Sequence, residues 1–411
     1  MNHSLSRRRF AGLLGAAATL VASPALAQRT PKALITDIAG RTVEVPRGAK
    51  RMVLGEGRLL AATVLLDRDN PFGTIAAWGN DMRLFDPDAW RRYRDRFPAM
   101  TSIPELGSSF SGDFSAERVM SLDADVVVFT LGSMRRMQDA GVITALERAG
   151  IPSVFVDVRE EAVKNTVPSV EILGTIMDRP GQARAFNDFY AQQSAIVRDR
   201  VGTLPEDRKP LAFIEQSSGY DPNECCRSWG NAYLGALLGM AGARNWGTRH
   251  FQGIGGLVNP EALLTDDPDL IIGTGANWAE TKPDVTAVLL GYDATPAEVQ
   301  RRLLALSRRP VFANLRAVKG GRFHSVYHQF YISPYHFVAL QVFAKWAQPE
   351  LFAELDPEAT FRTLHERFLP IPYGGIGRKR SCRVRKVASG SSSAKSSGCA
   401  HFAKTCSATK W

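Results

Sequence analysis

Residues 115–128 read Ser-Ala-Glu-Arg-Val-Met-Ser-Leu-Asp-Ala-Asp-Val-Val-Val, and residues 259–272 read Asn-Pro-Glu-Ala-Leu-Leu-Thr-Asp-Asp-Pro-Asp-Leu-Ile-Ile. Each stretch predicts the same unit: a Ser or Asn N-cap, a glutamate on the first turn of a short helix, and an Asp that leads into a buried strand. A carboxylate is favoured beside a helix N-terminus. Helix capping explains one such glutamate, but Glu117 and Glu261 occupy matching positions in the two halves of the chain. The repeat therefore predicts two similar α/β units.

The sequence around these two segments alternates between strand-like and helix-like patterns. A hairpin is predicted at 33–46, around a turn at Ala39-Gly40. In the first half, the pattern predicts strands at 51–54, 126–129 and 154–158, and a helix at 134–149. In the second half, it predicts strands at 211–215, 270–272 and 323–327, and helices at 231–241 and 296–307. Strand, helix and strand in succession indicate parallel α/β packing.

A continuous helical pattern runs from Gly181 to Val201, between Pro180 and Pro205. At 1.5 Å per residue, it predicts one connecting helix of roughly 30 Å. The predicted fold is therefore α/β, with two Rossmann-like lobes joined by one long rigid helix and a ligand cleft between the lobes. The predicted divisions are a signal peptide at 1–27, an N-terminal lobe at 28–180, a linker helix at 181–203, a C-terminal lobe at 204–376 and a basic disordered tail at 377–411.

The first 27 residues combine a basic patch, an Ala/Gly-rich apolar stretch and the small-residue site Ala25-Leu26-Ala27. The patch Ser6-Arg7-Arg8-Arg9-Phe10 resembles a twin-arginine export signal. No cysteine follows the cleavage site, which argues against a lipid anchor. We therefore expect export to the periplasm, with cleavage near Ala27.

The formal charge of +10 is concentrated at the chain ends. Residues 1–27 hold three basic side chains and residues 377–411 hold nine, with no acids in either segment, so residues 28–376 are close to neutral. This distribution argues against a nucleic-acid partner. The tail is interpreted either as a basic arm or, as the abrupt change in composition after Gly375 favours, as a reading-frame artefact.

Three of the five cysteines, Cys382, Cys399 and Cys406, lie in the tail, and only Cys225-Cys226 lies in the body. Adjacent cysteines close only a strained ring, so the expected state is two free thiols. A disulfide framework is therefore not expected to hold the fold together.

The chain resembles the substrate-binding proteins of the ABC importers for iron complexes, haem and cobalamin. The resemblance rests on the opening hairpin 36–46 with Lys50-Arg51-Met52-Val53, on the paired Glu-helix-Asp-strand segments, on 229–234 with 242–245, and on the closing segment 335–352. It covers about Thr36 to about Pro370, and the chain departs from the family's usual ending beyond Gly375.

This resemblance implies two lobes that close only slightly on a ligand, and glutamates at the lobe tips that dock on a dimeric permease of the inner membrane. The docking role is carried over to Glu117 and Glu261 alone. We further expect a monomeric periplasmic protein that is not an enzyme and has no cofactor of its own. The expected ligand is an iron complex, with ferric siderophore first, haem and corrinoid next, and an oxyanion such as molybdate last.

Ligands of open α/β sheets sit beyond the carboxyl ends of the strands, so the loops at these ends supply the candidate residues. Arginines there can pair with carboxylate, catecholate or hydroxamate oxygens, and aromatic rings can pack on the organic shell of a chelate. Arg227 and Trp229 are the strongest candidates, because they come just before the second-lobe helix. The full predicted ligand-binding set is Arg58, Trp78, Arg83, Ser133, Arg135, Tyr220, Arg227, Trp229, Asn277, Trp278, Tyr327, His328 and Tyr331.

The histidines invite a metal-binding interpretation, because His324 and His328 are four residues apart and His336 follows. On a strand this spacing separates the side chains by roughly 13 Å, too far for one ion. We therefore expect no direct metal coordination, although one axial contact to haem iron from His328 or Tyr327 stays open.

An α/β enzyme is the main alternative. The sequence has no G-x-S-x-G elbow, no G-x-G-x-x-G after the first strand and no H-E-x-x-H motif. A binding protein is therefore the preferred interpretation.

Overall fold

A computed structural model describes residues 31–374. The predicted signal peptide, the basic tail and the tail cysteines lie outside the described residues. Within residues 31–374, no helix combines the length and apolarity needed to cross a bilayer.

The N-terminal lobe begins with an antiparallel hairpin and continues as a parallel sheet with helices on both faces. Its strands are β1 (Lys32–Thr36), β2 (Thr42–Pro46), β3 (Met52–Leu54), β4 (Ile75–Gly79), β5 (Glu105–Leu106), β6 (Val126–Thr130) and β7 (Ser153–Val156). Its helices are α1 (Leu60–Thr63), α2 (Asp81–Phe85), α3 (Pro87–Arg96), α4 (Ala116–Met120), α5 (Met134–Asp139), α6 (Val142–Arg148) and α7 (Ala162–Ile176). The sheet order is β5-β4-β3-β6-β7.

Both faces of this sheet are buried, as its apolar runs predict. In β6, Val126 and Val128 belong to the main core of the molecule, whereas Val127 and Phe129 belong to a second cluster on the opposite face. The predicted helix 134–149 is divided into α5 and α6, because Gly141 adopts a left-handed φ of +70° between them.

The C-terminal lobe repeats the α/β arrangement with a mixed sheet. Its strands are β8 (Leu211–Glu215), β9 (Arg227–Trp229), β10 (Arg244–Asn245), β11 (Gly255–Leu257), β12 (Leu270–Gly275) and β13 (Phe323–Tyr327). The helices from the linker onward are α8 (Pro180–Val201), α9 (Tyr233–Met240), α10 (Gly247–His250), α11 (Pro260–Asp266), α12 (Pro296–Ser307), α13 (Pro310–Ala313), α14 (Arg316–Lys319), α15 (His336–Ala347) and α16 (Pro357–Arg367). The sheet order is β11-β9-β8-β12-β13, and β10 also pairs with β8.

The predicted repeat of helix and strand is confirmed at both places. Ser115 Oγ accepts a hydrogen bond from the Arg118 amide at 3.3 Å, which caps α4 before β6. Asn259 Oδ1 accepts one from the Glu261 amide at 2.9 Å, which caps α11 before β12. The same local chemistry therefore leads into a central strand of each sheet.

The long helix α8 lies between the two sheets in the chain and packs on both lobes, through α7 on one side and α15 on the other. Phe189 packs edge-on to Phe337, with ring centroids 5.7 Å apart, and the Tyr190 hydroxyl lies 2.9 Å from His336 Nε2. Each such buried aromatic ring contributes about 1.5–3 kcal/mol through burial. This packing holds the linker against both lobes.

Cys225 and Cys226 form a disulfide, so the expectation of two free thiols is wrong. Residues distant in sequence bind the backbone carbonyl groups of both cysteines. The Cys226 carbonyl accepts the Val258 amide at 3.0 Å, and the Cys225 carbonyl accepts Arg309 Nη1 at 3.2 Å. These contacts anchor the backbone of both cysteines just before β9.

Candidate ligand-binding site between the lobes

The turn after β3 carries a buried arginine across the gap between the lobes. Arg58 is only 5% exposed. Its Nε donates to Asp81 Oδ2 at 2.7 Å within the N-terminal lobe, and its Nη1 donates to the Tyr331 hydroxyl of the C-terminal lobe at 2.7 Å. Burial alone would lower the pKa of Arg58, but the surrounding Tyr331, Asp81 and Glu56 raise it, so the group stays charged. Arg58 therefore joins both lobes at one point.

A second buried arginine, Arg159, follows β7 and was not predicted from the sequence. Its Nη1 donates to Glu56 Oε2 at 3.2 Å and its Nη2 to the Thr130 hydroxyl at 3.4 Å. Glu56 Oε2 also lies 3.7 Å from Arg58 Nη2. Burial opposes the charge on Arg159 most strongly, but Glu56, Tyr331 and Tyr233 together outweigh this effect and raise the pKa. The rule that identified the other candidates applies here too, because Arg159 directly follows the predicted strand 154–158.

Among the described residues, both arginines keep a buried N–H group without a hydrogen-bond partner, at Arg58 Nη2 and Arg159 Nε. A buried donor without an acceptor costs roughly 1–3 kcal/mol. Phe110, which is 43% exposed, lies over both guanidinium groups, at 5.4 Å from Arg58 and 5.8 Å from Arg159. Both guanidinium groups therefore lie against an aromatic ring that is open to solvent.

The C-terminal lobe faces these arginines with stacked aromatic rings. Trp229 stacks on His328 and on Tyr331, in both cases with centroids 5.9 Å apart. Tyr233 packs edge-on to Tyr331 at 5.8 Å. Behind this layer, Trp278 packs on His328 at 5.1 Å and on Tyr220 at 5.1 Å. We call the four N-terminal residues Glu56, Arg58, Asp81 and Arg159, with the four C-terminal residues Trp229, Tyr233, His328 and Tyr331, the arginine–aromatic patch.

The histidines are held inside the fold. His328 Nδ1 lies 2.9 Å from the Thr274 hydroxyl, and burial lowers the pKa of His328 to about 3, so the ring is neutral. His324 stacks on Trp346 at 4.6 Å, and burial lowers its pKa to about 4. His324 lies in β13 as predicted, and His328 comes directly after it. In residues 31–374 no group of three His, Cys, Asp or Glu side chains is placed to hold a metal ion.

A second contact between the lobes uses carboxylates and tyrosines. The Tyr327 hydroxyl donates to Asp86 Oδ1 at 2.5 Å, and Asn277 Nδ2 donates to Asp88 Oδ1 at 2.7 Å. Burial raises the pKa of Asp86 to about 7. A cavity of about 40 Å³ lies here, and its lining includes Tyr93, Tyr292, Tyr327, Tyr335 and Asp86. We call Asp86, Asp88, Tyr93, Asn277, Tyr292, Tyr327 and Tyr335 the carboxylate–tyrosine patch.

With this geometry established, comparison with known proteins identifies the family. Residues 69–327 match the family model described as periplasmic binding protein. The chain belongs to this family. Its members are the substrate-binding proteins of ABC transporters and act in the periplasm. No curated protein sequence matches the chain.

Solved structures support the same fold for this periplasmic binding protein. The TroA-like periplasmic binding protein FepB from Veillonella parvula is similar over 84% of this chain and 98% of its own, at 28% identity and a TM-score of 0.74. MolA from Haemophilus influenzae, solved with molybdate, covers 83% of this chain and 99% of its own, at 17% identity and a TM-score of 0.60. CeuE from Helicobacter pylori, solved with Ni(II), covers 82% of this chain and 96% of its own, at 14% identity and a TM-score of 0.58. The last two likenesses show the fold alone.

The structure of this periplasmic binding protein brings only part of the predicted set together. Six residues lie in or directly behind the arginine–aromatic patch: Arg58, Tyr220, Trp229, Trp278, His328 and Tyr331. Asn277 and Tyr327 lie in the carboxylate–tyrosine patch instead. Arg227 and Trp229 are not in a loop, since both belong to β9, which pairs with β8 and β11.

Trp78 and Ser133 do not line the gap between the lobes, contrary to the sequence prediction. Trp78 lies within β4, is 1% exposed and packs against Phe72 and Trp90, because the strand continues to Gly79. Ser133 is buried, and its hydroxyl donates to the Thr130 carbonyl at 2.8 Å, which closes the turn after β6. Both side chains therefore serve the fold.

Three predicted arginines remain at the surface, each beside a carboxylate of its own lobe. Arg83 donates to Glu105 at 3.1 Å and Arg227 to Glu224 at 2.8 Å. Arg135 lies 3.6 Å from Asp139 with 92% of its side chain exposed.

The two predicted docking residues are also exposed. The Ser115 hydroxyl donates to Glu117 Oε2 at 2.9 Å, and hydrogen bonds from its own backbone amide and from Ser115 lower the pKa of Glu117.

Proposed function

We propose that this periplasmic binding protein captures an iron complex, with a ferric siderophore first, between its lobes and delivers it to an ABC permease. The observation that carries the proposal is Arg58, which bonds Asp81 in one lobe and Tyr331 in the other and keeps a buried N–H group without a hydrogen-bond partner. Trp229 and Tyr331 supply ring faces for the organic shell of a chelate. A ligand that engages both lobes at this point would favour their closed arrangement.

The alternatives in the same transporter class have less support. Haem would take an axial contact from His328 or Tyr327, but His328 is packed between Trp229 and Trp278 and the Tyr327 hydroxyl is bonded to Asp86. Arg58 and Arg159 already have carboxylate partners, which weakens the case for a small oxyanion.

Binding is measured by quenching of tryptophan fluorescence, because Trp229 and Trp278 lie within or behind the patch. Purified protein is titrated with ferric siderophores, haemin and cobalamin. We expect saturable quenching by a ferric siderophore, and the Tyr331→Ala variant should weaken it about tenfold or more through loss of an aromatic contact at the centre of the site. Leu34→Ala, at a 73% exposed position on the hairpin, is the control. Haemin or cobalamin binding tighter than every ferric siderophore would reject the iron-siderophore proposal.

We further propose that Glu117 and Glu261 dock on the two halves of the permease. Both are exposed, and each follows the N-cap of its helix in a different lobe. Two contacts on one body reinforce each other, because the second forms at a high effective concentration. The double variant Glu117→Gln with Glu261→Gln should keep ligand affinity and lose most transport, while each single variant loses less. Wild-type transport by the double variant would leave helix capping as the whole role of these residues.

The export route is also a proposal, because the Arg7-Arg8 pair lies outside the described residues. Replacing Arg7, Arg8 and Arg9 with Lys should retain the precursor in the cytoplasm. Normal periplasmic accumulation of the triple variant would reject the twin-arginine route.

A further inference from the structure

We infer that the chelate bound here carries little or no net charge, as a ferric trihydroxamate does, and that a highly anionic complex such as a ferric triscatecholate is disfavoured. Three hydroxamate monoanions balance Fe³⁺, whereas three catecholate dianions leave a triply negative complex. The inference rests on the proposed function, since it chooses among iron chelates for the same site.

The first observation is the charge balance of the buried polar groups. Arg58 and Arg159 are each 5% exposed, and their partners Glu56 and Asp81 are 0% and 1% exposed. The ion pairs join Arg58 to Asp81 at 2.7 Å and Arg159 to Glu56 at 3.2 Å. Two cations and two anions cancel, so an incoming anion meets carboxylates as well as guanidinium groups. At low effective dielectric, the attraction of the anion to the guanidinium groups and its repulsion by the carboxylates are both large and nearly equal. The free-energy cost of removing the anion from water is therefore left uncompensated.

The next residue along from Arg159 is a further carboxyl group rather than a cation. Glu160 is partly buried beside this patch, and burial raises the pKa of its carboxyl group. Its carbonyl oxygen lies 3.5 Å from the Tyr233 amide of the other lobe, which places this residue where the lobes meet. The groups around the gap therefore provide no excess of positive charge for a strongly anionic complex.

The exposed arginines of the two lobes have a similar balance of charge. Arg83, Arg135 and Arg227, the exposed arginines that the sequence suggested for an anion, are each paired with a carboxylate. Arg136 differs, because its Nη1 bonds the carbonyl oxygens of Ser109 and Phe110. Its guanidinium group is therefore held by backbone carbonyl groups next to Phe110.

The remaining capacity of the site suits neutral acceptors. Arg58 Nη2 and Arg159 Nε are buried N–H groups that lack a hydrogen-bond partner among the described residues. Hydroxamate and carbonyl oxygens of an uncharged complex can accept from them. The rings of Phe110, Tyr331 and Trp229 offer apolar surface to the rest of the ligand. The arginine–aromatic patch therefore suits a chelate that has neutral oxygen acceptors and an apolar shell.

The test uses two ferric complexes on one tripodal scaffold, one with three hydroxamate arms and one with three catecholate arms. Quenching titrations on the full-length wild-type protein should give a dissociation constant at least about tenfold lower for the hydroxamate complex. Equal affinity, or tighter binding of the catecholate complex, overturns the inference while leaving iron-chelate capture intact. If neither complex binds, the proposed function fails, and this inference fails with it.

A charge variant sharpens the test. Glu56→Gln keeps the side-chain shape and removes one buried negative charge, so the preference should shift about tenfold toward the catecholate complex. Asp81→Asn makes the same change at the other ion pair and serves if Glu56→Gln does not fold. Glu44→Gln, on the exposed hairpin pair with Lys32, is the control and should leave the ratio unchanged. An unchanged ratio in a folded Glu56→Gln or Asp81→Asn variant overturns the inference.

Discussion

The arginine–aromatic patch and the carboxylate–tyrosine patch both join the lobes, but their polar groups are used differently. In the carboxylate–tyrosine patch, the donors Tyr327 and Asn277 reach acceptors on the opposite lobe, Asp86 and Asp88. In the arginine–aromatic patch, Arg58 reaches Tyr331 but keeps a second buried N–H group unpaired. One patch therefore suits a lasting contact between the lobes, whereas the other retains capacity for a ligand.

The largest effect is expected from Arg58→Ala. The change leaves Asp81 buried without its cation, and removing one partner of a buried ion pair costs about 3–5 kcal/mol. The free energy of unfolding, measured by urea denaturation, should fall by that amount. A loss below about 1 kcal/mol would mean that Arg58 is not a structural link between the lobes.

Asp86→Asn should reveal the different electrostatics of the carboxylate–tyrosine patch. Burial raises the Asp86 pKa to about 7 in the folded protein. The Tyr327 hydrogen bond and Arg58 oppose this shift, whereas the nearby Asp88 adds to it. Between about pH 4 and pH 7 the folded state binds a proton that the unfolded chain has released, so this group makes stability fall as pH rises through that window. Asn keeps the N-cap of α3 and removes the titration.

The measurement is the difference in unfolding free energy between wild type and Asp86→Asn at pH 5 and at pH 8. The unfolding free energy of the variant, relative to that of wild type, should be higher at pH 8 than at pH 5. A difference that is the same at both pH values would show that Asp86 does not titrate in this window.

Phe110→Ala should affect the ligand rather than the fold. Phe110 is 43% exposed and lies over both buried arginines, so its removal costs little packing but removes an aromatic contact. We expect about fivefold weaker binding of the preferred chelate, which corresponds to about 1 kcal/mol for one such contact. Phe72→Ala removes a partly buried ring that packs against the core residue Trp78, so this contrasting variant should lower stability instead. Unchanged affinity in Phe110→Ala would show that this ring does not contact the ligand.

The smallest effect is expected from Arg135→Ala, which makes the same substitution as Arg58→Ala at a position that is 92% exposed. Its ion pair with Asp139 is screened by water, so stability should change by less than about 0.5 kcal/mol. A loss comparable to that of Arg58→Ala would contradict the distinction between buried and surface arginines.

Much of the fold could be predicted from local patterns. The strand 323–327 and the helix 296–307 have the predicted bounds, and α8 differs from its prediction by one residue. These elements are predicted by β-branched or apolar runs or by prolines at their ends. Such signals influence the backbone only within a few residues. The division of 134–149 into two helices was missed, since Gly141 was not recognised as a left-handed turn residue.

The site was predicted less well, because burial is decided by packing. Trp78 satisfies the rule for a residue near the end of a strand, yet its ring is enclosed by Phe72 and Trp90. Arg159 satisfies the same rule and was overlooked. The disulfide between Cys225 and Cys226 was not predicted either, and its backbone is anchored by Val258 and Arg309, which are distant in sequence.

The sequence by itself determined the two α/β lobes, the long helix between them and the capped glutamates Glu117 and Glu261, because each depends on neighbouring residues in the chain. Only the tertiary structure decided that Arg58 meets Tyr331, 273 residues away, and that Glu56 and Asp81 neutralise the arginines between the lobes. Side chains so distant in sequence leave no local pattern, and the balance of charge at their meeting point exists only after the lobes have packed together.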